Sequence, residues 1–395
     1  MIYAIKYIIM TDRNLLMANN IAAKIKEFGG RAYFVGGYVR DSVMGLANKD
    51  IDIEIHGVEI NSLAKILDSL GEVMRMGASF EIFKLRHYDL DIALPVDIYG
   101  GERKAALRRD FTVNALMQDI LTGEILDFFG GLDDIDSRII KQVSYKSFQD
   151  DPLRVLRAAR FAACLDFKID DETKKFASRV RLDSLASERV FNEIERALLK
   201  AVRPSIFFES LREMQQINYW LSELENVKDF ELLATVANLR ENASEKLYFM
   251  MSALCLEIDE CENFLTRLTS EDKLIKYVLN MIDLTGKIKL ADNENDYMKI
   301  FDDSICPNDL LLISRLLVNE SRYNELENFL ELYNSRMNEP YLMGRDLIES
   351  GVKPGALMGD ALKFAHKLRL AGINKEGQLI QTLKFIREKA EKFND

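Results

Sequence analysis

The sequence predicts an α+β protein in which a head of mixed strands and helices precedes a long all-helical region. Three observations carry this reading. Strand and helix signals alternate up to the glycine pair Gly130-Gly131. Beyond residue 151 nearly every segment repeats its apolar positions at helical spacing. Proline, with 6 in 395 residues, is too rare to interrupt long helices often.

The opening run MIYAIKYIIM is apolar but short and carries Lys6, without the long apolar core and small-residue cleavage site of an export signal. It reads as a strand or a docked N-terminal segment. Between residues 10 and 27, Leu15, Leu16, Ile21, Ala22 and Ile25 recur at helical spacing until Gly29-Gly30 ends the pattern. Residues 31–35 make a short strand that runs straight into Gly36-Gly37, and VRDSVMG then supplies one or two helical turns. From residue 50 to 55 acids and isoleucines alternate. Asp50, Asp52 and Glu54 take one face and Ile51, Ile53 and Ile55 the other, the pattern of a half-buried strand. A helix at 62–70 and strands at 81–85 and 90–94 follow. In the helical part, seams at Arg203-Pro204, at 286–295 and at Asn338-Glu339-Pro340 divide the chain. The expected domains are a head (1–140), a neck (141–206), a body (207–290) and a tail (291–395).

Composition bounds the function classes. With 48% hydrophobic and 30% charged residues the chain can bury a sizeable core and is not a disordered one. A net charge of -11 argues against a protein that coats nucleic acid non-specifically, while leaving room for a local basic groove. Cys164, Cys255, Cys261 and Cys306 are scattered, and only 3 histidines accompany them, so neither a zinc site nor a disulfide framework is expected. No run is long enough to span a membrane, and the expectation is a soluble cytoplasmic protein without a membrane partner.

Side chains two apart on a strand share a face, so Asp50 and Asp52 can jointly hold divalent cations. Taken alone, alternating acid and isoleucine is ordinary edge-strand chemistry. The preceding FVGGYVRDSVMG changes the weighting: consecutive glycines let a phosphate approach the backbone, a helix N-terminus favours the anion, and Arg40 can pair with its oxygens. Glycines and acids together point to a nucleoside triphosphate with Mg²⁺.

FVGGYVRD followed by KDIDIEI resembles the signature of the bacterial class II tRNA nucleotidyltransferase and poly(A) polymerase family, within the polymerase-β-like superfamily. The segments RRDFTVNAL (108–116), FFGGLDDI (128–135), DDPLRVLRAARFAA (150–163), SERVFNEIERAL (187–198) and GRDLIESGVKPGALMG (344–359) resemble its later motifs in the family's order. The resemblance implies a polymerase-β-like nucleotidyltransferase head that adds C, and in full CCA enzymes A, to the tRNA 3′ end from CTP and ATP without a template. It implies Asp50 and Asp52 as ligands of two Mg²⁺ and Asp91, in LDIALP, as the third carboxylate, although Asp89 and Glu81 stand at neighbouring positions. It also implies Gly36, Gly37 and Arg40 as the triphosphate cradle. Arg108, Arg109, Asp110 and Asn114 of RRDFTVNAL would then bind the incoming nucleotide, including its ribose 2′-hydroxyl.

The base-reading motif can also be argued from chemistry. Asp151 and Pro152 suit a helix start, and plain capping is one reading of them. Yet Asp151 and Arg154 stand three apart and project together. A carboxylate accepts from an exocyclic amine while a guanidinium donates to the neighbouring ring acceptor, so the pair admits cytosine and adenine and rejects uracil and guanine. Arg157 and Arg160 continue the stripe toward phosphate or RNA, or toward solvent. Two departures from the family stand out: Asp150 replaces a usual glutamate, and only residues 96–107 lie where relatives carry a longer basic loop. That shortening resembles enzymes that add CC and leave the final A to a separate A-adding enzyme, and it leans toward CC-only addition; Gly100-Gly101 and Arg103-Lys104 remain there as a substitute for the loop, which keeps full CCA addition open. The rivals are a poly(A) polymerase of the same family and a catalytically silent RNA-binding protein.

Overall fold

The computed structural model describes residues 2–76, 82–227, 230–237, 239 and 243–391. They fall into two compact units, Met1–Ala234 and Thr235–Asp395. Helix α1 (Ile2–Glu27) leads into β1 (Arg31–Val35), α2 (Gly37–Val43), β2 (Ile51–His56) and α3 (Ile60–Asp68). Strands β3 (Val73–Met76), β4 (Ile82–Leu85) and β5 (Leu90–Ala93) follow, then α4 (Gly101–Leu107), β6 (Met117–Asp119) and β7 (Ile125–Leu126). Among the described residues these seven strands form one mixed sheet in the order β3-β4-β5-β2-β1-β6-β7. The pairing of β2 with β5 is parallel, and the other pairings are antiparallel.

The alternation in β2 decides which face is which. Ile51, Ile53 and Ile55 are buried on the side backed by α1 and α3, whose Ile21, Ile25, Leu63 and Leu67 are themselves buried. Asp52 and Glu54 therefore face the other way, as period two requires. On that second face Tyr33 and Val35 of β1 pack with Ala106, Ala115 and Met117. This cluster seats the end of α4 and the 3₁₀ turn Thr112–Asn114 beside the carboxylates.

Beyond Gly130 come α5 (Gly131–Asp136), β8 (Ile139–Ile140), α6 (Tyr145–Asp150), α7 (Leu153–Leu165), β9 (Lys168–Ile169), α8 (Asp171–Ala177), α9 (Ser187–Lys200) and α10 (Ser205–Glu213). Gly131 is a position where no side chain fits: a Cβ there would stand 2.3 Å from the Thr112 carbonyl oxygen. Asp127 secures the turn, accepting hydrogen bonds from the backbone N–H groups of Phe129, Gly130, Gly131 and Leu132. The second unit is built of helices, the longest being Asp272–Leu290 and Glu320–Asn338, and ends in a cluster of Leu342, Leu347, Ala361 and Ala365.

Two expectations are corrected. The opening run belongs to α1 rather than to a strand, because no turn residue separates it from the periodic segment that follows and a started helix propagates. The region after Gly130-Gly131 is not free of strands, for β8 and β9 pair in parallel, each too short to leave a periodic signal. The helix Asp272–Leu290 runs through the exposed Gly286, and the connection to the next helix, Glu294–Asp303, lies within residues 286–295.

Candidate active site

The register of the sheet builds the centre of the site. Asp52 pairs with Asp91 across β2 and β5, and Asp91 pairs with Lys84 across β5 and β4, so the three side chains share one face in a row. Lys84 Nζ donates to Asp91 Oδ1 at 2.6 Å. The walls of the cleft push the Asp52 carboxyl above the ordinary aspartate range; Arg109 opposes this, and the nearby charges of Asp91 and Asp50 add to it. Asp50 lies just before β2, exposed, its backbone N–H donating to Asn48 Oδ1. Glu81 lies outside the described residues, and the Asp89 backbone N–H donates to Asn14.

Gly36 ends β1 at φ 68°, ψ -136°, a conformation open to glycine and costly for other residues. A Cβ there would meet Arg109 Nη1 at 3.5 Å and Asp52 Oδ2 at 3.7 Å. Arg40, one turn into α2, is buried; its Nη1 donates to Asn114 Oδ1 at 2.6 Å and its Nε and Nη2 to Asp41. Asn114 passes the connection on, donating to Asp110 Oδ1 at 3.0 Å.

Asp110 is the buried hub. Burial alone would raise its carboxyl, but the Arg157 guanidinium, Asn114 and the Phe111 N–H outweigh that and hold it below the ordinary range. Arg157 donates to Asp110 Oδ2 through Nε at 2.8 Å and Nη2 at 2.6 Å, tying α7 to the head. Arg154 donates to the backbone carbonyls of Arg108 and Arg109 at 2.7 and 3.1 Å. Just ahead of α7, Asp151 accepts from the Leu153 N–H and from Arg189 of α9 at 3.0 Å.

One cleft of about 460 Å³ is lined by Gly36, Gly37, Arg40, Asp52, Arg108, Arg109, Asp110, Asn114, Asp151, Arg154 and Arg157, together with Leu153, Phe161 and Arg189. Segments more than a hundred residues apart in sequence thus converge. Asp50 and Asp91 are not in its lining, although Asp91 adjoins Asp52. Arg160 is also absent from it: buried, it donates to Glu193 of α9 at 2.5 Å and covers the Phe161 ring from 4.1 Å. Arg189, Glu54 and Phe161 were not singled out from the sequence. Arg189 sits inside SERVFNEIERAL, but an arginine in the first turn of a helix carries no local signal of the carboxylate it meets.

The donor set suits a hard divalent cation. Among the described residues no three His, Cys, Asp or Glu side chains close around one point. Two carboxylates beside a phosphate-sized glycine turn are nevertheless what such a cation takes in nucleotide sites, where phosphate oxygens and water complete its shell.

Comparison with known proteins matches nearly the whole chain. Residues 32–96 and 96–141 match the poly A polymerase head domain family. The CCA-adding enzyme of Ligilactobacillus salivarius is 30% identical over 391 residues, covering 93% of this chain and 96% of that one. That of Pediococcus pentosaceus is 28% identical over 381 residues, 91% and 93% of the two chains. Among solved structures, a CCA-adding enzyme complexed with CTP superposes with a TM-score of 0.73 at 22% identity, over 95% of both chains. The Thermotoga maritima CCA-adding enzyme complexed with tRNA superposes at 0.71 and 22%, over 94% and 95%.

Proposed function

The chain belongs to the family of CCA-adding enzymes, and on that premise we propose that it is a template-independent tRNA nucleotidyltransferase extending the tRNA 3′ end from CTP and ATP. The observation that carries the reading is one cleft in which the glycine turn, the Asp52 strand and the Asp151–Arg154 helix start converge. When held by Asp50 and Asp52, with Asp91 beside them, Mg²⁺ supplies charge neutralisation for the triphosphate and acidity for the RNA 3′-hydroxyl.

The chain's own residues do the rest. The backbone at Gly36-Gly37 and the guanidiniums of Arg40 and Arg109 receive the triphosphate. Asp91 accepts the 3′-hydroxyl proton as the oxygen bonds to the α-phosphorus, the bond to the β-phosphate breaks, and pyrophosphate leaves. Arg108, Arg109 and Asp110, braced by Asn114 and Arg157, face the sugar of the bound nucleotide and its 2′-hydroxyl. Asp151 accepts the exocyclic amine of cytosine or adenine and Arg154 donates to the adjacent ring acceptor, a pairing that uracil and guanine do not offer. Arg160 acts one layer behind, fixing α7 against α9 through Glu193.

A narrower reading within this one is that the chain adds the two cytidines and leaves the final A to a separate A-adding enzyme, the ATP then being that enzyme's substrate. Its support is the short connection after β5, in which α4 begins at Gly101. A poly(A) polymerase shares the head motifs, but the relatives cited match over the helical remainder as well. Incubation with tRNA lacking its 3′ end, read at single-nucleotide resolution, tests the assignment. Extension by C residues only, or by CCA, supports nucleotidyl transfer to tRNA. A run of A residues favours the polymerase, and no product favours a silent RNA-binding protein.

A further inference from the structure

Glu54 follows Asp52 on the same face of β2, and strand side chains two apart lie roughly 7 Å from one another. Arg109, arriving from the end of α4, could pair with either. It pairs with Glu54, Nη2 to Oε2 at 2.9 Å, while its Nη1 and Asp52 Oδ2 stand 3.5 and 3.7 Å from the point a Cβ of Gly36 would occupy. The second oxygen of Glu54 is fixed as well: Oε1 meets His56 Nε2 at 2.8 Å. His56 is buried edge-on to Tyr33 at 5.5 Å, and the Tyr33 hydroxyl donates to Glu102 of α4 at 2.9 Å. Glu54 keeps 13% of its side chain exposed and Arg109 28%, so neither swings freely in solvent.

We propose that Glu54 is a positioning residue that holds Arg109 away from the Asp52 carboxylate, leaving that carboxylate open to a divalent cation and aiming the guanidinium at the phosphates beside Gly36. The physical reason is competition. Asp52 is another carboxylate on this face whose charge Arg109 already feels, and a guanidinium released from Glu54 would form a bidentate pair with it, occupying the oxygens a cation needs. The inference rests on Asp52 being a cation ligand, as the proposed function has it.

The test is direct binding of Mn²⁺ alone, followed by the electron paramagnetic resonance signal of the free ion, on the full chain. Glu54→Gln keeps the shape and removes the charge; Mn²⁺ binding should weaken by about tenfold. In an Arg109→Ala background the same substitution should change binding by about twofold or less, because no guanidinium remains to invade the site. Arg109→Ala alone should bind Mn²⁺ at least as tightly as the unmodified protein, which keeps the test usable if Glu54→Gln fails to fold. An equal loss in both backgrounds, no loss in either, or weaker binding in Arg109→Ala would overturn the proposal. Asp52→Asn is the control on the underlying reading: if it leaves Mn²⁺ binding intact, Asp52 is not a ligand and the proposed function is what fails.

Discussion

Asp52 and Asp91 stand in register on the parallel pair β2 and β5, so two carboxylates share one face of the sheet, Asp52 lining the cleft and Asp91 beside it, with Lys84 and Arg109 to offset them. Such an arrangement weakens the fold while it waits for a cation. The Asp52 carboxyl is raised by the surrounding cleft first and by Asp91 and Asp50 further down, which means that ionising it costs the folded state as pH rises through the raised value. Asp52→Asn should therefore abolish nucleotide incorporation without lowering the metal-free melting temperature at neutral pH. Unmodified protein should gain melting temperature on adding Mg²⁺, and the variant should not. Thermal melts with and without the ion check both halves.

Asp110 and Arg157 make the opposite case, a buried pair that stabilises. Asp110→Asn leaves the guanidinium without its carboxylate and should cost about 3 kcal/mol at neutral pH. The native carboxyl is held low, so its contribution is present above the ordinary aspartate value of 3.8 and is lost as pH falls through the lower folded value. The stability gap between the unmodified protein and the variant should thus be constant from neutral pH down to that region and close below it. Chemical denaturation across the acid range measures it.

Arg154 lines the cleft, and its Nη1 and Nη2 donate to the carbonyls of Arg109 and Arg108 rather than to a carboxylate. Arg154→Ala should reduce the preference for CTP and ATP over UTP and GTP by about 1–3 kcal/mol in kcat/KM. The affinity for tRNA should change less. Unchanged selectivity with impaired tRNA binding would instead make Arg154 a phosphate contact.

Gly131 gives a purely structural prediction. A methyl group at this position would overlap the Thr112 carbonyl, and the backbone there is pinned by Asp127 and by the start of α5. Gly131→Ala should destabilise the first unit by about 2 kcal/mol or more, read as a lowered unfolding midpoint. Gly130→Ala tests a different cause, because its Cβ would meet nothing within 4 Å and the cost is only that of φ 78°.

What could be read from the sequence followed from local chemistry. The Ile51, Ile53 and Ile55 alternation predicted β2 and the face of Asp52, and Gly36-Gly37 predicted a turn at which phosphate can approach. Partners far apart in sequence could not be read in the same way. Nothing near Glu54 says that its carboxylate meets Arg109, and nothing near Asp151 says that Arg189 arrives from α9. Arg160 illustrates the reverse. Its spacing continued the stripe of Arg154 and Arg157, yet three residues further along α7 the helix faces Glu193, and the side chain is buried. Helical periodicity gives a direction from the axis, whereas the neighbour in that direction is set by tertiary packing.

The last prediction concerns where synthesis stops. On the proposed reading, one Asp151 and Arg154 pair would have to accept cytosine first and then, for full CCA addition, the larger adenine, so the cleft would have to be reshaped once two cytidines are in place. The family resemblance implies that a longer segment after the Asp91 strand helps this change. Here β5 ends at Ala93, and α4 already begins at Gly101. That helix is tethered: Ala106 is buried against Tyr33 and Val35, the Tyr33 hydroxyl donates to Glu102, and Lys104 pairs with Asp97 at 2.6 Å. A short, anchored connection has little reach and few alternative conformations with which to remodel a neighbouring pocket. Given tRNA without its end together with CTP and ATP, the protein should accumulate the CC product. Replacing residues 96–100 with a longer, flexible, basic segment should promote addition of A while leaving the rate of C addition within about threefold, since the Asp52–Asp91 pair is untouched. A nucleotide-resolution gel separates the outcomes, and prompt synthesis of full CCA by the unmodified protein would refute the CC-only reading while leaving nucleotidyl transfer in place.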